Sequence, residues 1–201
     1  MKMSGLDRIL LLLTIVLAGY QIAIGVDEMT AIPILAYTIG FGVLVVSGLL
    51  MLILGFEALE SPIVVIISTI IPLSLSAGLV WEFLAAYRSA YLGFCILGFL
   101  AVLLTRISPA KHPAPLAVLA TVHGSAGMVI FGLPLFLAAT GSVHPGFMLV
   151  GVGGALIGFG GLLLLFVRAG STRMPIGRVY ALLPGLLLAM VFAFVAGFAL
   201  A

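Results

Sequence analysis

Seven long apolar runs, cut apart by short clusters of charge, proline and glycine, constrain this chain more than any motif in it. They lie at about 8–26, 31–54, 62–86, 90–105, 115–139, 146–167 and 178–200. Their apolar residues are continuous rather than alternating, and a barrel strand would be only about ten residues long. Hydrocarbon offers a backbone no hydrogen-bond partner, so runs of this length satisfy their own N–H and C=O groups as helices. About 20 residues cross the hydrocarbon core, and seven such spans with their connections use up the 201 residues. The expectation is an all-α polytopic transmembrane bundle of about seven helices. It forms a single integral membrane domain over residues 1–201, with no room for a soluble domain of about 50 residues or more.

Composition closes off the soluble alternative. Charged residues make up 7% of the chain and hydrophobic residues 64%, whereas a soluble domain carries about 25% charged residues. So few charges cannot cover a water-facing surface, so lipid is the solvent and the first partner. The net charge of +2 is spread over several connections and makes no patch for nucleic acid. Asparagine is absent and Gln21 is the sole glutamine, a depletion found in thermophile proteins.

The placement of the cations predicts an orientation. Lys2, Arg8, Arg106, Lys111, Arg168, Arg173 and Arg178 fall on one side of a seven-span layout, and Arg88 alone on the other. The positive-inside rule then puts the N-terminus in the cytoplasm and the C-terminus outside a cell membrane. Lys2 and Arg8 before an apolar run also resemble the start of a signal peptide. The run is read here as a retained first helix.

A shift of 112 residues aligns Pro33 with Pro145, Pro72 with Pro184, Gly42 with Gly154 and Gly48 with Gly160. The matched prolines fall at equivalent points of the second and sixth runs, and of the third and seventh. Two parallel three-helix units around a linking fourth helix follow from that alignment. Such a 3+1+3 order resembles the topology of sugar carriers of the SWEET type; the likeness is one of topology alone.

In lipid, helices pack through small residues. Gly154, Gly158 and Gly161 of the sixth run stand at i, i+4 and i+7 and share a face, which predicts a close helix contact there. The sharper alternative is a smooth wall for a lipid, quinone or carotenoid tail.

Polar groups at membrane depth are few, and each is a functional candidate. His123 lies about eight residues into the fifth run, about 12 Å from its end. Ala120 and Gly127 flank it on one face. The functional readings are a haem ligand, a proton relay or a quinone hydrogen bond; the plain one is a neutral imidazole bonded to a group on another helix or chain. His112 and His144 fall in connections, which disfavours a haem held by two histidines of this chain. Glu82, beside Trp81 and shortly before Arg88, reaches the depth of Tyr20, Gln21 and Tyr37 on the first two runs. Either these residues form an interfacial aromatic belt with a Glu82–Arg88 ion pair, or they line an outward pocket for a headgroup or small solute. Asp27, Glu28 and His144 share that side, but no spacing demands a metal. Cys95 is alone and lies in an apolar run, where it reads as a small buried residue.

Enzyme signatures are missing: there is no HExxH, no GxSxG, no phosphate-binding loop and no dinucleotide fingerprint. Retinal chemistry is excluded because Lys2 and Lys111 are the only lysines. Two classes of function remain. One is a non-catalytic subunit of a larger membrane complex, an energy-transducing one included, with other membrane subunits as partners. The other is a small-solute carrier of the 3+1+3 kind. The scarcity of polar residues in the runs favours the first, and no acid at mid-depth offers the second an ion-coupling group.

Overall fold

The structure is a computed structural model that describes residues 3–26, 29–107, 114–168 and 175–200. Lys2, Asp27, Glu28, Lys111, His112 and Arg173 therefore lie outside the described residues. Among the described residues eight α-helices make seven spans: α1 (Gly5–Ile24), α2 (Ala31–Leu54), α3 (Pro62–Ser68), α4 (Ile70–Phe83), α5 (Arg88–Ile107), α6 (Ala114–Ala139), α7 (Met148–Arg168) and α8 (Ile176–Phe198). Among the described residues, seven helical segments are long and apolar enough to cross a membrane. The chain is an all-helical, multi-pass membrane bundle. At about 1.5 Å per residue, the 20 residues of α1 extend about 30 Å, the thickness of the hydrocarbon core.

Local chemistry sets the ends and breaks. Ser4 caps α1 in a reciprocal box: its hydroxyl accepts the Asp7 N–H at 3.1 Å, and the Asp7 carboxylate accepts the Ser4 N–H at 2.8 Å. α2 closes on Gly55, at φ 70°, and the chain continues as a 3-10 turn through Glu60, so the second span runs past the expected end at 54. The third span, expected to be continuous, is broken between α3 and α4 at Thr69. Pro72 is the cause: it has no N–H for the Ser68 carbonyl, and its ring crowds that turn. The Ser68 and Thr69 hydroxyls turn back onto the Val65 carbonyl at 3.1 and 2.8 Å. Buried Thr14 and Ser76 likewise donate to carbonyls one turn earlier in their own helices, so these hydroxyls enter the apolar interior already bonded.

The helices form a ring. α1 packs on α2, α2 on α4, α4 on α6, α6 on α7, α7 on α8, and α8 returns to α1. α5 stands outside this ring against α3, α4 and α6. Spans one, two and three thus face spans five, six and seven across the middle, with the fourth peripheral, an order that a parallel duplication would also produce. The aligned glycines do not occupy equivalent contacts, however. A Cβ on Gly48 would meet Ile15 of α1, whereas Gly160 faces Leu183 and Leu186 of α8.

The middle of the ring is filled with side chains. Tyr37 and Phe41 of α2 meet Phe194 and Phe198 of α8, with the Tyr37 and Phe198 ring centroids 4.6 Å apart. Phe147 and Phe83 extend the cluster toward the end of the bundle that carries Arg88. Toward the opposite end, Phe56 stacks on Tyr180 at 4.9 Å, above Leu11, Met51 and Leu183. Glycine lets these layers close. A Cβ on Gly78 would fall within 2.5–3.0 Å of the Tyr37 ring, and one on Gly153 would strike Phe194.

Candidate functional site

The residues singled out in the sequence separate into three places. Trp81 and Arg88 sit together where α4 passes into α5. The chain breaks at Leu84 (φ −127°, ψ 64°) and makes one 3-10 turn over Ala85–Tyr87 before α5 begins. That turn swings the Arg88 guanidinium back over α4. Its Nε donates to the Trp81 carbonyl at 2.6 Å, and its carbon lies 5.4 Å from the Trp81 ring centre, a cation–π arrangement. Glu82 does not pair with Arg88 as the spacing suggested. Its Oε2 accepts the Thr30 hydroxyl at 2.9 Å and the Thr30 N–H at 3.3 Å, tying the end of α4 to the start of α2.

Gln21 belongs to a second place. It is buried on α1, and its Nε2 donates to the Gly25 carbonyl at 2.6 Å. Its Oε1 and the Tyr37 hydroxyl are buried without a hydrogen-bond partner. Both residues line a small cavity of about 10 Å³ between α1 and α2, together with Thr38. That is room for one water, not for a solute. Tyr37 was legible only as a residue at the depth of Gln21. Its burial comes from the glycine opposite, Gly78, which no periodicity picks out.

His123 is the third place. It is half-buried on α6, remote from the other two, and its Nδ1 is enclosed by protein without a hydrogen bond of good geometry. The group it faces is the Leu119 carbonyl one turn earlier, with Arg106 of α5 within electrostatic reach. Among the described residues no other helix supplies its Nδ1 with a hydrogen bond. No second imidazole approaches it among the described residues. His144 lies at the other end of the bundle, where its Nδ1 accepts the Gly146 N–H at 3.1 Å.

A sizeable opening starts from the first of these places. A groove of about 570 Å³ runs over the outward face of α4 between α2 and α5. Its floor includes Leu73, Ser74 and Ala77, and Trp81 and Arg88 stand at one end. Cys95 lines it too, with its thiol 3.7 Å from the Leu73 carbonyl.

The glycines of α7 divide in the same way. A Cβ on Gly154 would lie 2.8–2.9 Å from the backbone of Ile130 and Phe131 in α6, so this residue is at a close contact. Gly158 and Gly161 face outward and would meet nothing within 4 Å; the two helices have already diverged there.

One surface went unnoticed in the sequence. Over its first half α6 turns Ala117, Ala120, Thr121, Gly124 and Ser125 outward, and buries Val122 and Ala126. The signal was present as small residues at i, i+3, i+4, i+7 and i+8. The other peripheral helices do the reverse: α1 exposes Leu6, Ile9, Leu12, Leu13 and Val16, and α5 exposes Leu92, Ile96, Leu97, Leu100 and Leu104. Comparison of the chain with protein-family models, with curated proteins and with solved structures finds no match.

Proposed function

We propose that this chain is a non-catalytic integral membrane subunit of a larger complex, and that it meets its neighbour through the outward face of α6. The observation that carries the reading is the inverted pattern of that helix. A face left to lipid has no reason to be small, because acyl chains pack against leucine as well as against glycine. A helix that receives another helix gains from Ala117, Ala120 and Gly124, which let the backbones approach, and from Thr121 and Ser125, which can bond across the contact. Gly158 and Gly161 on α7 are likewise exposed small residues. The cation distribution favours a cell-membrane location with the N-terminus cytoplasmic and the C-terminus outside.

The carrier reading has one observation in its favour, the ring order in which spans one to three face spans five to seven. Against it stands the filled middle. Phe41, Phe147 and Phe194 are almost wholly buried where a carrier would hold its substrate, and the small cavity beside them has room for about one water.

Purification from the native membrane in mild detergent separates the two. The subunit reading expects unlike polypeptides to travel with the chain, and expects Ala120→Leu with Gly124→Leu to release them while the chain itself stays folded. A homo-oligomer unchanged by those substitutions contradicts it. An absorption spectrum of the same sample tests the haem possibility at His123: a Soret band lost in His123→Ala would place a haem in that complex.

A further inference from the structure

The groove over α4 has a polar end, an apolar length and a defined depth, and these three features together select an occupant. α2 and α5 both pack on α4 without closing over it, so Ser74 and Ala77 remain as a floor of small side chains. Ile39, Ile96 and Leu100 stand along the walls, and the lining is almost entirely apolar. From Arg88 to Leu100 the groove follows twelve residues of α5, about 18 Å at 1.5 Å per residue, a little more than half of the about 30 Å core. That is the depth of one leaflet.

The charge sits at one end alone. Arg8, Arg106 and Arg178 belong to the opposite end of the bundle, and Arg88 is the cation at this end among the described residues. Its Nε is committed to the Trp81 carbonyl and its central carbon lies over the Trp81 ring. The guanidinium is therefore fixed in place, with its terminal nitrogens left for a ligand. A guanidinium held in this way matches the paired oxygens of a phosphate. Glu82, the nearby acid, is turned to Thr30 and lies outside the groove lining.

We propose that this groove is a fixed site for an anionic phospholipid, because Arg88 is the charged residue of the lining and a zwitterionic headgroup would bring its own cation. The phosphate diester of one lipid, in the leaflet at the Arg88 end, is held by Arg88 beside Trp81, and one acyl chain lies along Ala77 and Ser74 toward Leu100. The site is separate from the α6 surface, and neither proposal depends on the other.

Trp81 is the chain's single tryptophan, so its fluorescence reads the groove directly. The protein is reconstituted in phosphatidylcholine bilayers containing increasing amounts of phosphatidylglycerol brominated on its acyl chains. A fixed site predicts quenching that saturates at a small mole fraction of brominated lipid. Arg88→Gln should raise the half-quenching fraction about tenfold, the loss of one charge-assisted contact. Because Arg88 also touches Trp81, Ser74→Phe supplies the independent variant: it fills the floor, leaves the Arg88–Trp81 contact intact, and should abolish the saturable phase. Quenching that rises in proportion to mole fraction in the unaltered protein would overturn the site. So would saturable quenching indifferent to Ser74→Phe. Complete protection of Trp81 in the native complex, with a cross-link from the groove to another polypeptide, would show a helix there and would also overturn it.

Discussion

Alanine at Gly154 and alanine at Gly158 are the same change, one turn apart on one helix, and the structure assigns them opposite outcomes. A Cβ on Gly154 would lie 2.8 Å from the Phe131 nitrogen and 2.9 Å from the Ile130 carbonyl carbon. Ordinary carbon contacts are about 3.5–4.0 Å. The obstacle is backbone, which has no rotamer to change, so α6 and α7 must separate by several tenths of an ångström or more. Overpacking of this kind costs about 1–3 kcal/mol. Both variants gain about 1 kcal/mol of helix propensity over glycine. Gly158→Ala should therefore be neutral or stabilised by up to about 1 kcal/mol, and Gly154→Ala destabilised by up to about 2 kcal/mol. Propensity cancels in the difference, which leaves the contact alone at about 1–3 kcal/mol. Thermal unfolding of the purified chain in one detergent, followed by circular dichroism, measures the difference. Equal stability of the two variants, or the lower stability in Gly158→Ala, would refute the packing described for α7.

Three further outcomes follow from the same geometry. Tyr37→Phe should lower stability by about 1 kcal/mol in the unaltered protein and by less in a Gln21→Leu background, because a single water in the cavity between α1 and α2 would serve both polar atoms; additive losses in a double-mutant cycle would exclude the shared water. Phe41→Ala removes a buried ring from the middle of the bundle and should cost about 3–5 kcal/mol, read as loss of the folded band after mild heating in detergent. A reporter active only outside the cytoplasm, fused after Ala201, should be active; a silent fusion beside an active cytoplasmic one would reverse the orientation.

The spans were legible because lipid leaves the backbone one solution, and seven runs give seven spans whatever packs against them. Ends and breaks were less so. The break at Thr69 depends on Pro72 lying inside a run, and Pro134 and Pro184 lie inside helices that carry on through them, so proline alone does not announce a break. Helical spacing puts Gly154, Gly158 and Gly161 on one face, yet it carries no information about where α6 and α7 part. Glu82 and Arg88 were close in sequence and failed to pair because a helix break at Leu84 and a 3-10 turn intervene. The groove was invisible for a related reason. It exists because α5 lies outside the ring, and nothing in the pattern of a single run says which helix will be left on the periphery.

The account rests most heavily on the outward face of α6, and cross-linking in the native membrane tests it most directly. Cys95, the only cysteine and a buried one, is first replaced by alanine. A single cysteine is then placed at Gly124 on the α6 face, or at Leu97, exposed on α5. A short thiol-reactive benzophenone, which on illumination inserts into C–H bonds within reach, should join the Gly124→Cys chain to a different polypeptide in high yield and leave the Leu97→Cys chain free of other polypeptides. Equal reaction at the two positions, no adduct at Gly124, or an adduct of two copies of this chain alone would contradict the claim that α6 is where this subunit meets its complex.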